Sequence, residues 1–385
     1  MRLHSTLTPA DDDALFHRPP EVFTRGSERR TLAHALGATL YVPATHPRLE
    51  AAIRTRGRVG VSSMVVCLED AISDEDVTAA LEATSAALSA LADADDLPLL
   101  FLRVRTAEQV TVLAAADTGH ILAGFVLPKF DSVRGPDLIA AVSDAALGYE
   151  GQLFAMPVVE SPQIADPRTR VSELTEILAH LAKHPGRTLA VRIGATDIAG
   201  ALGLRRSRDM TCYDIGIVRD AITDIRAVLG IDTDLVPVVT GCVWEHFVDQ
   251  RSRIFRTQLR ETPFRERSAA GLRGALLEQD LDGLLKEIAL DKVNGLTGKT
   301  VIHPSHVPVV NSLLSVTHEE FSDAQVVLGG DAGGVSRSEY RNKMNERGPH
   351  RGWALSVIER AAAFGVLRED VTWVDLLAAL HGEAA

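Results

Sequence analysis

The chain has 385 residues, 46% hydrophobic and 24% charged, the balance of a globular protein long enough for one large barrel or two ordinary domains. A formal net charge of -12 argues against nucleic acid or an anionic membrane as the main partner, but leaves room for a small anion in a locally basic pocket. Cys67, Cys212 and Cys242 are too scattered for a disulfide framework, and there is neither an apolar leader nor a run of roughly 18 apolar residues, so a reducing cytoplasm is expected.

In chain order, residues 1–30 are polar and rich in Asp, Arg and Pro, and read as an N-terminal arm. Short apolar runs then alternate with longer amphipathic stretches. The candidate strands are "ATLYVPA" (38–44), "MVVCLED" (64–70), "PLLFLRV" (98–104), "AGFVLPK" (123–129), "LFAMPVVES" (153–161), "TLAVRIGATD" (188–197), "DLVPVVTG" (234–241) and "KTVIHP" (299–304). Between them, segments such as "DEDVTAALEATSAALSALADA" and "IGIVRDAITDIRAVLGI" carry apolar residues at helical spacing. Buried parallel strands read as continuous apolar runs. Eight such βα repeats predict an α/β fold, a (β/α)8 TIM barrel over residues 31–316. The segment from Trp244 to Gly298 is longer than one crossover needs and predicts an extra helical element. Residues 317–385, with a Gly-rich stretch and a final helix-like pair, read as a C-terminal extension or lid.

A barrel gathers the C-terminal ends of its strands on one rim, where active sites lie. The ends here are Glu69 and Asp70, Arg103 and Arg105, Lys129, Glu160, Asp197 and His303. Each has an ordinary explanation: Lys129 as a loop cap, Arg103 as a structural ion-pair partner, Asp197 as the N-cap of the next helix. Their joint occurrence points instead to a site. Glu160 and Asp197 supply two carboxylates with no soft or imidazole ligand beside them, which suits a hard divalent cation, Mg2+ or Mn2+ in its place. Such an ion polarises the oxygen of a small chelated acid. Arg103 is placed to grip the acid's carboxylate, with Arg105 as a second anionic contact. The His303–His306 spacing in "IHPSH" is interrupted by proline, and "GGDAGG" matches no nucleotide-binding fingerprint and reads as a loop.

At these residues the chain resembles the HpcH/HpaI aldolase/citrate lyase family, that is, citrate lyase beta-subunit-like proteins built on a phosphoenolpyruvate/pyruvate-binding TIM barrel. The matching pieces run in order as "LYVPATHP", "VVCLEDAI", "LRVR", "VLPKF", "MPVVES", "IGATDIAGALG" and "GLTGKTVIHPSHVPVVN". The resemblance implies a cytoplasmic homo-oligomer, a trimer or hexamer, that cleaves or forms a carbon–carbon bond beside a carboxylate. It also implies Mg2+ and, commonly, acyl-CoA thioester substrates. By motif position it assigns Glu160 and Asp197 to the metal and Arg103 to the substrate carboxylate. It matches Glu69 and Asp70 to the family's acidic pair and Lys129 to the lysine beside them; the expected catalytic set is Arg103, Asp70, Glu69 and Lys129, with Arg103, Arg105 and His303 as substrate-binding residues. The arginine and glycine of the family's opening motif are absent from "GATLYVPAT", and Arg105 replaces a usual amide, as expected of a divergent branch. The expected function is a Mg2+-dependent retro-aldol or retro-Claisen lyase of a small 2-oxo or hydroxy acid. The alternatives are a malyl-CoA thioesterase or malate synthase-like enzyme, and a non-catalytic metabolite-binding barrel acting with a partner protein.

Overall fold

The computed structural model describes residues 1–247, 281–329 and 334–382. Helix α1 (Pro9–Leu15), strand β1 (Phe16–Arg18) and helix α2 (Arg29–Ala35) precede the first long apolar run. All eight runs then become strands: β2 (Ala38–Pro43), β3 (Ser63–Cys67), β4 (Leu99–Arg103), β5 (Leu122–Leu127), β6 (Phe154–Val159), β7 (Ala190–Ile193), β8 (Val238–Thr240) and β9 (Lys299–Val301). They pair in parallel in the order β8-β7-β6-β5-β4-β3-β2-β9. A bridge between Gly241 and Lys299 joins the two ends, so the sheet closes into the expected TIM barrel.

The outer layer is α3 (Leu49–Arg58), α4 (Val77–Ala90), α5 (Ala107–Ala116), α6 (Gly135–Leu147), α7 (Pro162–Ala165), α8 (Arg170–Ala182), α9 (Ala195–Gly200), α10 (Gly216–Leu229), α11 (Asp282–Val293) and α12 (His306–Leu314). The extra helical element expected between Trp244 and Gly298 falls mainly on residues 248–280, outside the described residues. Beyond the barrel come α13 (His318–Leu328), a hairpin of β10 (Val335–Arg337) and β11 (Met344–Glu346), α14 (Arg347–Phe364), β12 (Val366–Leu367) and α15 (Trp373–Leu380). Among the described residues no helix is long and apolar enough to cross a membrane.

Two polar devices hold this frame. Near the seam, Lys299 is 1% exposed and pairs with Glu287 at 2.9 Å and Asp291 at 2.7 Å. Arg206 also pairs with Glu287, and the Tyr213 hydroxyl donates to Asp291 at 2.8 Å. A buried charge is tolerated when it is paired and hydrogen-bonded in this way. The second device closes the N-terminal end of the barrel. Leu32, Ala33, Ala35 and Leu36 of α2 pack against lumen residues such as Leu99, Phe101, Phe154 and Val238. Arg29 donates to the carbonyls of Thr188 (2.7 Å) and Leu235 (3.2 Å), both just ahead of strands β7 and β8.

The arm is therefore built into the fold, since Leu3, Phe16 and Phe23 are buried. The extension docks on the arm: β1 pairs with β12, and Arg30 of α2 pairs with Glu359 of α14 at 2.6 Å. These contacts anchor the extension at the end of the barrel opposite the strands' C-termini. Leu32→Ala should lower stability by about 2–5 kcal/mol through the cavity it leaves. Chemical denaturation checks this, and binding at the far rim should be retained by the folded fraction.

Candidate active site

Glu160 follows directly after β6, whose last residue is Val159. The sequence reading carried the strand to Ser161 and had Pro162 end it. Pro162 instead opens α7 at its first position, where a proline lacks no needed N–H. The Glu160 carboxylate is 5% exposed. Its Oε1 accepts from Arg103 Nη2 at 3.1 Å and from the Lys129 backbone N–H at 2.9 Å. Asp197 also sits off its strand. Gly194 ends the extended run after Ile193, and Asp197 is the third residue of α9, past the N-cap position. There its charge and that of Glu160 act on each other.

Gly194 makes room for the Glu160 side chain. A Cβ at position 194 would lie 2.0 Å from Glu160 Oε2 and 2.4 Å from Glu160 Cβ, inside any allowed contact. The Glu160 side chain lies over the bare backbone of residue 194.

Around this pair the other charges interlock. Arg103, at the end of β4, directs Nη2 at Glu69 (2.7 Å), Asp70 (3.0 Å) and Glu160 (3.1 Å). Lys129 holds Asp70 at 2.9 Å through its ammonium and also bonds Glu69. Its backbone is left-handed, with φ of 48°. A non-glycine residue in that region carries strain of about 1–3 kcal/mol. In return, one residue aims its N–H at Glu160 and its ammonium at the Glu69–Asp70 pair.

The electrostatics follow from burial and crowding. Burial pushes the Glu160 carboxyl up to about 7, against the pull of the Arg103 charge. Burial and the Asp70 charge likewise raise Asp197. Burial also works against the charge on Asp70, but hydrogen bonds with Glu69 and Lys129 and the Arg103 charge leave it below the usual carboxylate range. The result is two adjacent carboxylates that resist ionisation together, beside cations already engaged. A divalent cation relieves that conflict, and two carboxylates with room for water or substrate are the donor set that Mg2+ takes. Among the described residues no set of three or more His, Cys, Asp or Glu side chains forms a metal cage.

Two expected members stand elsewhere. Arg105 is engaged by the chain itself: it donates to the carbonyls of Leu68 (2.8 Å), Glu69 (3.1 Å) and Ile72 (3.0 Å) and pairs with Asp74. It braces the loop that carries Glu69 and Asp70. His303 is stacked on Phe247 with ring centroids 5.5 Å apart and bonds Ser305 Oγ at 2.7 Å, away from the carboxylate cluster. The sequence reading missed Gly194, although it lies within the quoted "RIGATD". It also passed over Arg192, a charge inside the same apolar run.

A model of a family described as C-C bond lyases of the TIM-barrel fold matches residues 30–366. No curated protein sequence matches the chain. Among solved structures, a citrate lyase from Burkholderia xenovorans LB400 superposes with a TM-score of 0.60 at 16% identity, covering 89% of this chain and 96% of that one. The protein CitE from Mycobacterium tuberculosis, in complex with magnesium, acetoacetate and coenzyme A, gives 0.53 at 20% identity, covering 86% and 99%. A Haloferax volcanii malate synthase in a magnesium/glyoxylate complex gives 0.50 at 13% identity, covering 71% and 74%. At these identities the likeness to the solved structures is one of fold.

Gly194→Ala should displace Glu160 and abolish tight Mg2+ binding, read by calorimetry, while circular dichroism stays that of the folded barrel. Stability should also depend on pH with a definite sign. The Glu160 carboxyl is raised from 4.5 to about 7, so between these values the folded state holds a proton that the unfolded state has lost. Without divalent ions, Tm should therefore fall as pH rises through this window, and the Glu160→Gln variant should show a flatter profile.

Proposed function

The chain belongs to this family of TIM-barrel C-C bond lyases, and from that premise we propose a Mg2+-dependent carbon–carbon lyase of the retro-aldol or retro-Claisen type, acting on a small 2-oxo or hydroxy carboxylic acid. The observation that carries the reading is the convergence of two carboxylates, the buried Glu160 and the partly exposed Asp197, with the Glu160 side chain lying over Gly194 three residues before Asp197. These two residues would hold the ion. When bound, Mg2+ supplies a Lewis acid that polarises the acid's carbonyl or hydroxyl oxygen and favours the oxyanion of the transition state.

The chain's own groups divide the remaining work. Arg103 lies beside the pair with its side chain 12% exposed at the rim, and it would meet the substrate carboxylate there. Asp70 is the most accessible acceptor of the cluster, with a side chain 48% exposed, and would take the proton of the substrate hydroxyl. Lys129 fixes Asp70 and Glu69 and offsets their charge, keeping both carboxylates beside the reacting group without a second cation. Loop bracing by Arg105 limits the freedom of these acceptors, and such positioning is itself a large part of catalysis.

Magnesium with coenzyme A and acetoacetate in the Mycobacterium tuberculosis neighbour supports the choice of ion and of an acyl fragment as product. The same charge arrangement would serve thioester hydrolysis, and the products separate the two: cleavage yields two carbon fragments, hydrolysis one acid and free CoA. Incubating the protein with malate, citrate and their CoA thioesters, with mass-spectrometric product analysis, should reveal Mg2+-dependent release of two fragments. Glu160→Gln and Asp197→Asn should each lower that rate on the order of 100-fold or more, as expected when transition-state charge loses its partner. Full Mg2+-dependent turnover by either variant would sink the assignment.

A further inference from the structure

Arg192 has no structural reason to be charged. It lies on β7, 1% exposed, in the barrel lumen. Its Nη1 donates to Thr300 Oγ1 at 2.8 Å and its Nη2 to Thr39 Oγ1 at 2.7 Å. Among the described residues no carboxylate pairs with it, and its Nε is buried with no partner. A guanidinium in that state is costly to bury, and a large apolar side chain would fill the space more cheaply.

What Arg192 does touch is Tyr41. Its guanidinium carbon lies 5.7 Å from the centroid of the Tyr41 ring, within cation–π range. Thr39 and Tyr41 are two residues apart on β2 and so share the lumen face. Tyr41 packs on the lumen cluster and is partly exposed. Its phenol senses the charges of both Arg192 and Arg103, and burial keeps it protonated above its ordinary range. The Nε of Arg103 is buried and unpartnered as well. Tyr41 pairs through Val65 with Phe101, two residues before Arg103 on the same face of β4, so it stands between the Arg192 guanidinium and the Arg103 guanidinium at the acidic rim.

We propose that Tyr41 is a substrate-binding residue whose hydroxyl donates to the carboxylate gripped by Arg103, with Arg192 as the positioning residue that fixes the phenol from beneath. This deepens the lyase reading and rests on it in one respect, that the ligand is a carboxylic acid. It narrows the substrate class to acids whose carboxylate beside the cleaved portion is free, because an amide or ester at that end would lack the charge that the Arg103 guanidinium and the Tyr41 hydroxyl together require.

The test is calorimetric titration of pyruvate and of oxalate in saturating Mg2+, with Mg2+ alone titrated into the same proteins. Tyr41→Phe keeps the ring and should weaken both acids on the order of tenfold, the worth of one hydrogen bond to a charged group. Its affinity for Mg2+ alone and its Tm should stay those of wild type. Arg192→Met should weaken the acids too, and its effect combined with Tyr41→Phe should be less than additive, because it acts through the phenol. Arg192→Lys should restore part of the loss. Wild-type affinity for both acids in Tyr41→Phe would overturn the proposal, as would failure of wild type to bind either acid. Loss of Mg2+ binding by wild type would instead count against the metal site, so the two readings fail separately.

Discussion

Four carboxylates, those of Glu69, Asp70, Glu160 and Asp197, meet at one rim of the barrel around the two cations Arg103 and Lys129. That crowding is the constraint on which the rest depends. Glu160 and Asp197 repel each other in a half-buried place, and Arg103 and Lys129 are already shared among the acids. The cluster is short of positive charge by about the amount a divalent cation brings. An arrangement that is uncomfortable when empty and balanced when loaded is what selective ion binding requires, since the free energy of relieving the conflict belongs to the bound state. Local strain at Lys129 and the exclusion of any side chain at Gly194 both serve to keep Glu160 in this position.

The remainder of the molecule makes that crowding rigid. Parallel strands bring Arg103 and Glu160 to the same end of the barrel, where their side chains meet, and α2 fills the opposite end of the lumen so that the strands cannot collapse inward. The seam, where the sheet joins by a single bridge, is reinforced by the buried Lys299–Glu287–Asp291 group. The arm and the extension clasp each other beneath, through β1 and β12. Stability is thus concentrated at the end away from the chemistry, leaving the acidic loops to be set by local hydrogen bonds such as those of Arg105.

Much of this was legible in the sequence because the barrel speaks through periodicity. Eight apolar runs separated by amphipathic stretches are what strands buried on both faces require, and each run became a strand. The convergence of Glu160, Asp197, Arg103, Lys129 and the Glu69–Asp70 pair followed from topology alone. What failed did so for local reasons. The strands are shorter than their apolar runs: β6 stops at Val159 before Pro162 opens α7, and β7 stops at Ile193 where Gly194 caps α9. Arg105 was one residue beyond the rim, where side-chain direction decides the partner, and alternation cannot be counted past the end of a strand. Arg192 and Tyr41 were hidden by the opposite assumption, that a residue inside an apolar run only packs.

The central claim is that Glu160 and Asp197 hold a divalent ion in place of a proton. Calorimetric titration of Mg2+ near pH 6.5, repeated in buffers of different ionisation enthalpy, measures the protons released per ion bound. With the Glu160 carboxyl raised to about 7, binding should release close to one proton in wild type and almost none in Glu160→Gln, whose affinity should collapse. Mg2+ binding without proton release, or equal binding by the two proteins, would contradict the account.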